Sequence, residues 1–312
     1  MESDFVSFGE WAMEQDRPGE PEQLAYRHHG VRMHFWAGCI PSRGKLQPIV
    51  HWHDNFELML VRDGVLAMLV GGETVRLEKG DFLFVNSGHL HKLCQVGSES
   101  GRFVMTIVHP ALLGCEVGLM QDGVEPLLRR KWLPYVKLKR GHTGAIPEVF
   151  RRMLECEGKP DSATPMEAVG IAFELWAAMT RAFRDEGALV NTPAKATRRI
   201  RDIDFEAVRT MVSYMQAHYG ERLTLDKIAA TGGVCRSRCC AIFKQFLNAS
   251  PIEYLNSYRL RVADRLLCTT GDSIAEIAFA CGFSHQSYFT EQYRAAFEMT
   301  PMQRRKAHRS LD

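Results

Sequence analysis

The chain has 312 residues, of which 46% are hydrophobic, 10% aromatic and 24% charged. These are globular values, which exclude wholesale disorder, a collagen-like repeat and a coiled-coil rod, and the length predicts two domains. The net charge of +2 hides a split: residues 195–312 hold 18 Lys+Arg against 12 Asp+Glu, and residues 1–194 hold 21 against 25. An acidic front joined to a basic back points to a polyanion as the partner of the back.

No apolar run reaches the roughly 18 residues needed to span a bilayer, and Met1–Glu14 carries acids but no basic residue, unlike a secretory leader. The nine cysteines are scattered and odd in number, the opposite of a disulfide framework. These features predict a reduced, cytoplasmic protein with no membrane partner.

In chain order, Met33 to His109 reads as short strands and turns. Phe56–Val61 and Val65–Val70 are apolar runs flanking Arg62-Asp63-Gly64, which predicts a hairpin, and Thr74–Leu77, Phe82–Val85 and Phe103–Val108 follow. Six or so such strands predict a small sandwich or barrel. From about Ala145 to Glu186 the period turns helical. Ala168, Ile171, Ala172, Leu175, Trp176 and Met179 form one stripe, while Gly187–Arg199 has turn residues, no period, and reads as a linker. From Asp204 onward all segments are short and helical.

The last hundred residues contain one unit twice. Leu225, Ile228, Ala229, Gly233 and Val234 recur 49 positions later as Ile274, Ile277, Ala278, Gly282 and Phe283. Cys239, Phe243, Lys244, Ser250 and Pro251 recur 50 later as Phe289, Tyr293, Arg294, Thr300 and Pro301. Each copy reads as a helix, a turn at glycine and a second helix, followed by a capping box with proline at the first helical position, as in Ser250-Pro251-x-Glu253 and Thr300-Pro301-x-Gln303. This is helix-turn-helix patterning. The second helices offer Arg236, Ser237 and Arg238 in one copy and His285, Gln286 and Ser287 in the other, with Lys244 and Arg294 further along. Arginine addresses guanine O6 and N7 with two hydrogen bonds and glutamine pairs adenine. Lys244 and Arg294 suit phosphates, which fix register.

The stretches DSIAEIAFACGFSHQSYFTEQYRAAFEMTP and SPIEYLNSYRLRVADRLL make residues from about Val208 to Arg305 resemble the AraC family of bacterial transcription regulators. The resemblance implies two DNA-reading units joined by a helix, promoter DNA as partner, RNA polymerase as a further partner of an activator, and a homodimer. Departures cluster in the first unit, where Cys235 stands for a capping serine and Cys239 for leucine. Asn248 and Glu298 replace helix-ending glycines. Cys239 matches a core position, so a buried free thiol is expected there, and a thiol switch or a soft-metal site among Cys235, Cys239 and Cys240 is the alternative.

In the front half, His51-Trp-His53-Asp-Asn-Phe-Glu57 followed by His89-Leu-His91 resembles a cupin barrel, with Asn86 where that pattern has proline. Strand alternation points His51 and His53 the same way. His51, His53, Glu57 and His91 are expected to bind a small effector, a sugar or another polar metabolite. The alternative is a metal ion, since three imidazoles and a carboxylate suit Zn, Mn, Fe or Ni, in a metal-sensing regulator or a cupin metalloenzyme.

The expected architecture is α+β with two domains. An all-β cupin-like sensor occupies 1–140 with a helical dimerisation segment over 141–190. A linker over 191–203 leads to an all-α double helix-turn-helix over 204–312. The protein is expected to be a regulator and not an enzyme, with no obligatory cofactor.

Overall fold

The computed structural model describes residues 6–7, 31–40, 50–97, 100–157, 162–187 and 195–309. The acidic opening segment, apart from Val6–Ser7, and positions 191–194 of the expected linker lie outside them. The chain divides into two units, one ending at Asp202 and the other beginning at Ile203.

The first unit is an antiparallel β structure built on one long strand. Its strands are β1 (Val6–Ser7), β2 (Met33–Ile40), β3 (Phe56–Val70), β4 (Glu73–Glu78), β5 (Phe82–Val85), β6 (His91–Cys94), β7 (Gly101–Val108) and β8 (Tyr135–Leu138). The first half of β3 lies between β7 and β5, and its second half pairs with β4 and β6. The expected hairpin at Arg62-Asp63-Gly64 is therefore absent, and the two apolar runs belong to one strand. The register slips between Val61 and Asp63 and Gly64 adopts φ +71°, so a bulge turns β3 from one sheet into the other without reversing it. A Cβ on Gly64 would come 2.0 Å from the Ser100 carbonyl oxygen, which reserves the position for glycine.

Alternation along β3 separates two cores. Met59 and Val61 join Trp36, Met68, Leu83 and Phe103 between the sheets. Phe56, Leu58 and Leu60 face the other way, into a core completed by helices α3 (Ile146–Glu157) and α4 (Thr164–Asp185), which follow two short helices, α1 (Pro110–Leu113) and α2 (Glu125–Leu128). The first sheet is thus buried on both faces, which explains why Phe82–Val85 is apolar throughout.

The stripe expected to form a dimer interface is consumed by this packing. Leu175, Trp176 and Met179 are buried within the chain, and the Trp176 ring lies 5.0 Å from that of Phe56. The pattern marked an apolar helix face correctly; its occupant is the chain's own sheet. Asn86 also has a structural role. Its amide donates to the carbonyls of Leu127 (3.0 Å) and Leu133 (3.1 Å), and its side-chain oxygen accepts from the Ser87 amide, so a buried asparagine fastens the segment leading into β8 where the cupin pattern has proline.

The segment read as a linker is helical from Lys195, where α5 (Lys195–Ala217) begins. Alanine and arginine favour helix, and the aperiodic window that suggested a linker stopped at Arg199, just short of Ile200 and Ile203, where apolar spacing resumes. The second unit continues with α6 (Leu225–Thr231), α7 (Arg236–Leu247), α8 (Pro251–Thr269), α9 (Ile274–Ala280), α10 (Gln286–Phe297) and α11 (Pro301–Arg309). The expected caps form. Ser250 with Glu253 and Ser273 with Glu276 are reciprocal capping boxes. Gly233 and Gly282 take φ +65° and +79° at the inter-helix turns. At Gly282 the space is needed too, since a Cβ would lie 2.7 Å from the Tyr219 carbonyl oxygen and from the Arg259 guanidinium, which donates to that same carbonyl and to Glu221 O.

Candidate DNA-reading faces and a buried histidine–glutamate cluster

The duplicated cores seat the two second helices. Cys239, Ile242 and Phe243 bury one side of α7, and Phe289, Tyr293 and Phe297 bury one side of α10. Their opposite sides are exposed and carry Arg236, Ser237 and Lys244 on α7, with His285, Gln286, Ser287 and Arg294 at and along α10. Gln286, Ser287, Thr290, Glu291 and Arg294 line one open groove on that surface. Thr290 and Glu291, which the sequence reading did not single out, share this lining.

The expected reader Arg238 is engaged elsewhere. Its guanidinium donates to Asp204 at 2.5 Å, and the Asp204 side chain is only 6% exposed. A partly buried carboxylate needs this cation, which holds α7 to α5. Arg236, by contrast, lies 3.5 Å from Asp226 with both side chains about two-thirds exposed, an ion pair weak enough to exchange for another partner. Cys239 is fully buried, and burial pushes its thiol up to about 11, whereas Cys235 is exposed and its thiol, which touches Ser237 at 3.2 Å, is held below its usual range. The two do not form a common thiol site.

In the first unit, His51, His53, Glu57 and His91 come together, their donor atoms all within 4.8 Å of one another. Glu57 shares the parity of Met59 and Val61 on β3 and so points between the sheets. His51 and His91 form a β-bridge, exchanging backbone hydrogen bonds of 3.1 and 2.9 Å. Glu57 Oε1 lies 3.1 Å from both His53 Nε2 and His91 Nε2.

The far sides of those rings fix their protons. His53 Nδ1 faces the Asn55 carbonyl at 3.2 Å and His91 Nδ1 the His89 carbonyl at 2.7 Å. A carbonyl only accepts, so both Nδ1 atoms are donors. A neutral ring protonated there turns a lone pair from Nε2 towards the lone pairs of Glu57. The contacts are favourable only when positive charge sits among them, either as imidazolium protons or as a metal ion. Burial pushes the Glu57 carboxyl up, but the His91 charge and the hydrogen bonds of both rings outweigh it and hold the group well below the usual carboxylate range. Backbone-anchored imidazoles are also how metal-binding histidines are oriented. The donor set therefore fits a divalent transition metal, held by His51, His53, Glu57 and His91. Among the described residues no second such group gathers.

Two helix-turn-helix units with polar outer faces define a DNA-binding protein, and the sheet domain with its histidine cluster defines a cupin. Comparison with known proteins agrees: residues 228–307 match the model of a helix-turn-helix domain family and residues 41–107 that of the cupin domain family. The uncharacterized HTH-type transcriptional regulator YdeC of Bacillus subtilis is 26% identical over 257 residues, 82% of this chain and 86% of that protein. The HTH-type transcriptional regulator ArgR of Pseudomonas aeruginosa is 40% identical over 98 residues, 31% of this chain and 30% of that protein. A crystal structure of a transcriptional regulator with an AraC-type DNA-binding domain from Chromobacterium violaceum is 38% identical, covering 33% of this chain and 91% of that one, with a TM-score of 0.32.

The chain belongs to the AraC family of transcription regulators. Its relatives are regulators and not enzymes, which removes the metalloenzyme alternative.

Proposed function

We propose that this regulator controls transcription according to what occupies the His51/His53/Glu57/His91 cluster, and that the occupant is a divalent transition-metal ion. The observation that supports this reading is the convergence of the His53 and His91 Nε2 atoms on one Glu57 oxygen at 3.1 Å, with His51 in the same donor group. A bound metal would supply Lewis acidity and a fixed positive charge. The chain's own part is to hold the ring orientations through the carbonyls of Asn55 and His89. A second reading, a sugar or other polar metabolite hydrogen-bonded by the same residues, is favoured by the half-exposure of His51 and Trp52, which leaves the cluster reachable from solvent.

In this reading the exposed faces of α7 and α10 meet promoter DNA through Arg236, Ser237, Lys244, His285, Gln286, Ser287 and Arg294. The regulator acts in the cytoplasm as a homodimer, with RNA polymerase as partner where it activates. The dimer then uses a surface other than the Leu175/Trp176/Met179 stripe. The domain scheme that goes with it is a sensor over 1–140, a helical segment over 141–190, a connection over 191–203 and a DNA-binding domain over 204–312.

The test is elemental analysis of the purified chain, followed by titration of Zn, Mn, Fe and Ni while DNA affinity is read. One ion per chain is expected, lost in H53A and in E57A, with unliganded DNA affinity within a few-fold of wild type. A folded protein that takes up none of these metals overturns the metal reading. A response to a polar metabolite that E57A abolishes would then establish the second. Loss of all DNA binding in folded E57A would overturn both.

A further inference from the structure

The two reading faces come from one duplicated unit, yet their chemistry has diverged. On α7 the positions matched to the α10 groove are Arg236, Ser237, Cys240, Ala241 and Lys244, all exposed except the half-buried Cys240. Fifty positions on, α10 presents Gln286, Ser287, Thr290, Glu291 and Arg294. The first face carries two cations and no acid, and the second balances Arg294 with Glu291.

An acid on a surface that enters a groove between phosphates opposes binding, because phosphate attraction dominates affinity. Glu291 sits within that surface and not at its rim. It follows Ser287 by four residues and precedes Arg294 by three, so it shares their side of the helix. Its carboxylate has no hydrogen bond or ion pair among the described residues, whereas Glu253 and Glu276 cap helices and Asp264 binds Arg304 in the same unit. Among the described residues Glu291 thus holds no partner, and its acceptor oxygens face the groove that it lines. In the major groove the base-edge donors are the exocyclic amines of cytosine and adenine, and a carboxylate, which only accepts, is matched to cytosine N4.

We propose that Glu291 is a base-reading residue that accepts a hydrogen bond from cytosine N4. The two units then select different half-sites: guanine in the first through Arg236, and cytosine beside adenine in the second through Glu291 and Gln286. The inference rests on the reading that α7 and α10 face DNA, so its test separates the two.

Full-length wild type, E291A, E291Q and R236A are each used to select binders from a randomised duplex library, and thermal unfolding verifies that each variant is folded. Wild type is expected to prefer cytosine at one position of the cluster contacted by the second unit. E291A should lower that preference roughly tenfold and leave the other cluster untouched. E291Q should exchange cytosine for adenine there. If E291A tightens binding to all sequences equally, Glu291 is a solvated charge and the proposal fails. If R236A erases a guanine preference while E291A changes nothing, the proposal fails alone. If neither variant moves any base preference, the placement of both faces on DNA fails with it.

Discussion

Arg238 donates to Asp204 at 2.5 Å, joining α7 to α5. The pair gives Arg238 a structural task. We expect R238A to destabilise the chain by about 1–2 kcal/mol, since it strands a buried carboxylate but the arginine itself is half-exposed. Base preferences in a randomised library should be unchanged. A variant that keeps wild-type stability and loses a base preference would reverse the assignment.

Asp264 is fully buried and accepts from the Tyr293 hydroxyl and from Arg304 Nε at 2.9 Å, tying α8, α10 and α11 together. The matched positions of the first unit, Phe243 and Tyr254, meet instead as rings 6.0 Å apart. R304A leaves a buried charge without its cation and should cost about 3 kcal/mol. Y293F keeps that cation and should cost about 1 kcal/mol. Chemical denaturation of both variants checks the order, and equal costs would contradict it.

Asn248 and Glu298 end α7 and α10 in the left-handed region, at φ +52° and +57°. Asparagine adopts this conformation readily and glutamate does not. E298G should therefore stabilise the chain by about 1 kcal/mol and N248G by clearly less. Unfolding midpoints measured side by side decide it, and an E298G that melts below wild type is the contrary result.

Burial pushes the Asp81 carboxyl up, but Lys137 at 2.8 Å and the amides of Glu78 and Arg140 outweigh it and hold its titration below the usual range. A lowered folded-state value means stability that is present above the ordinary aspartate pKa of about 3.9 and is lost as the pH falls through the lowered one. D81N should be less stable than wild type at pH 6, and the gap should close as the pH drops below about 4. A gap that stays constant from pH 6 to pH 3 would rule out this carboxylate as its source.

What the sequence disclosed followed from range. The helix-turn-helix units were legible because glycine turns, capping boxes and apolar stripes act over three to five residues, and duplication repeated each signal. His51, His53 and Glu57 were legible from their spacing, although strand alternation is not what joins them: β3 begins only at Phe56, and His51 and His53 precede it, His51 in an isolated bridge with His91. The Arg238 ion pair was not legible because its partner lies 34 positions earlier, and neither residue advertises the other. The α4 stripe was read correctly as apolar but not as to what it covers, because periodicity reports a face and never its occupant. The bend in β3 was mistaken for a hairpin because Asp63-Gly64 is chemically the same signal for a bulge and for a reversal. Glu291 escaped notice because an acid contradicts the charge expected of a DNA-binding surface.

Strand β3 carries a consequence for how the sheet domain assembles. Glu57, near its start, lies 3.1 Å from the His91 ring, while Val70, at its end, is the backbone partner of that same histidine. Thirteen residue steps of straight strand would span about 43 Å, so the strand must curl until both ends meet at one residue. His91 acts as a buckle: it emerges from the ribosome 34 positions after Glu57, and the cluster does not exist until the strand has closed on it. A ligand at the buckle therefore binds only the closed form, and it should raise the melting temperature of the whole sheet domain in proportion to its occupancy, not merely that of the loops it touches.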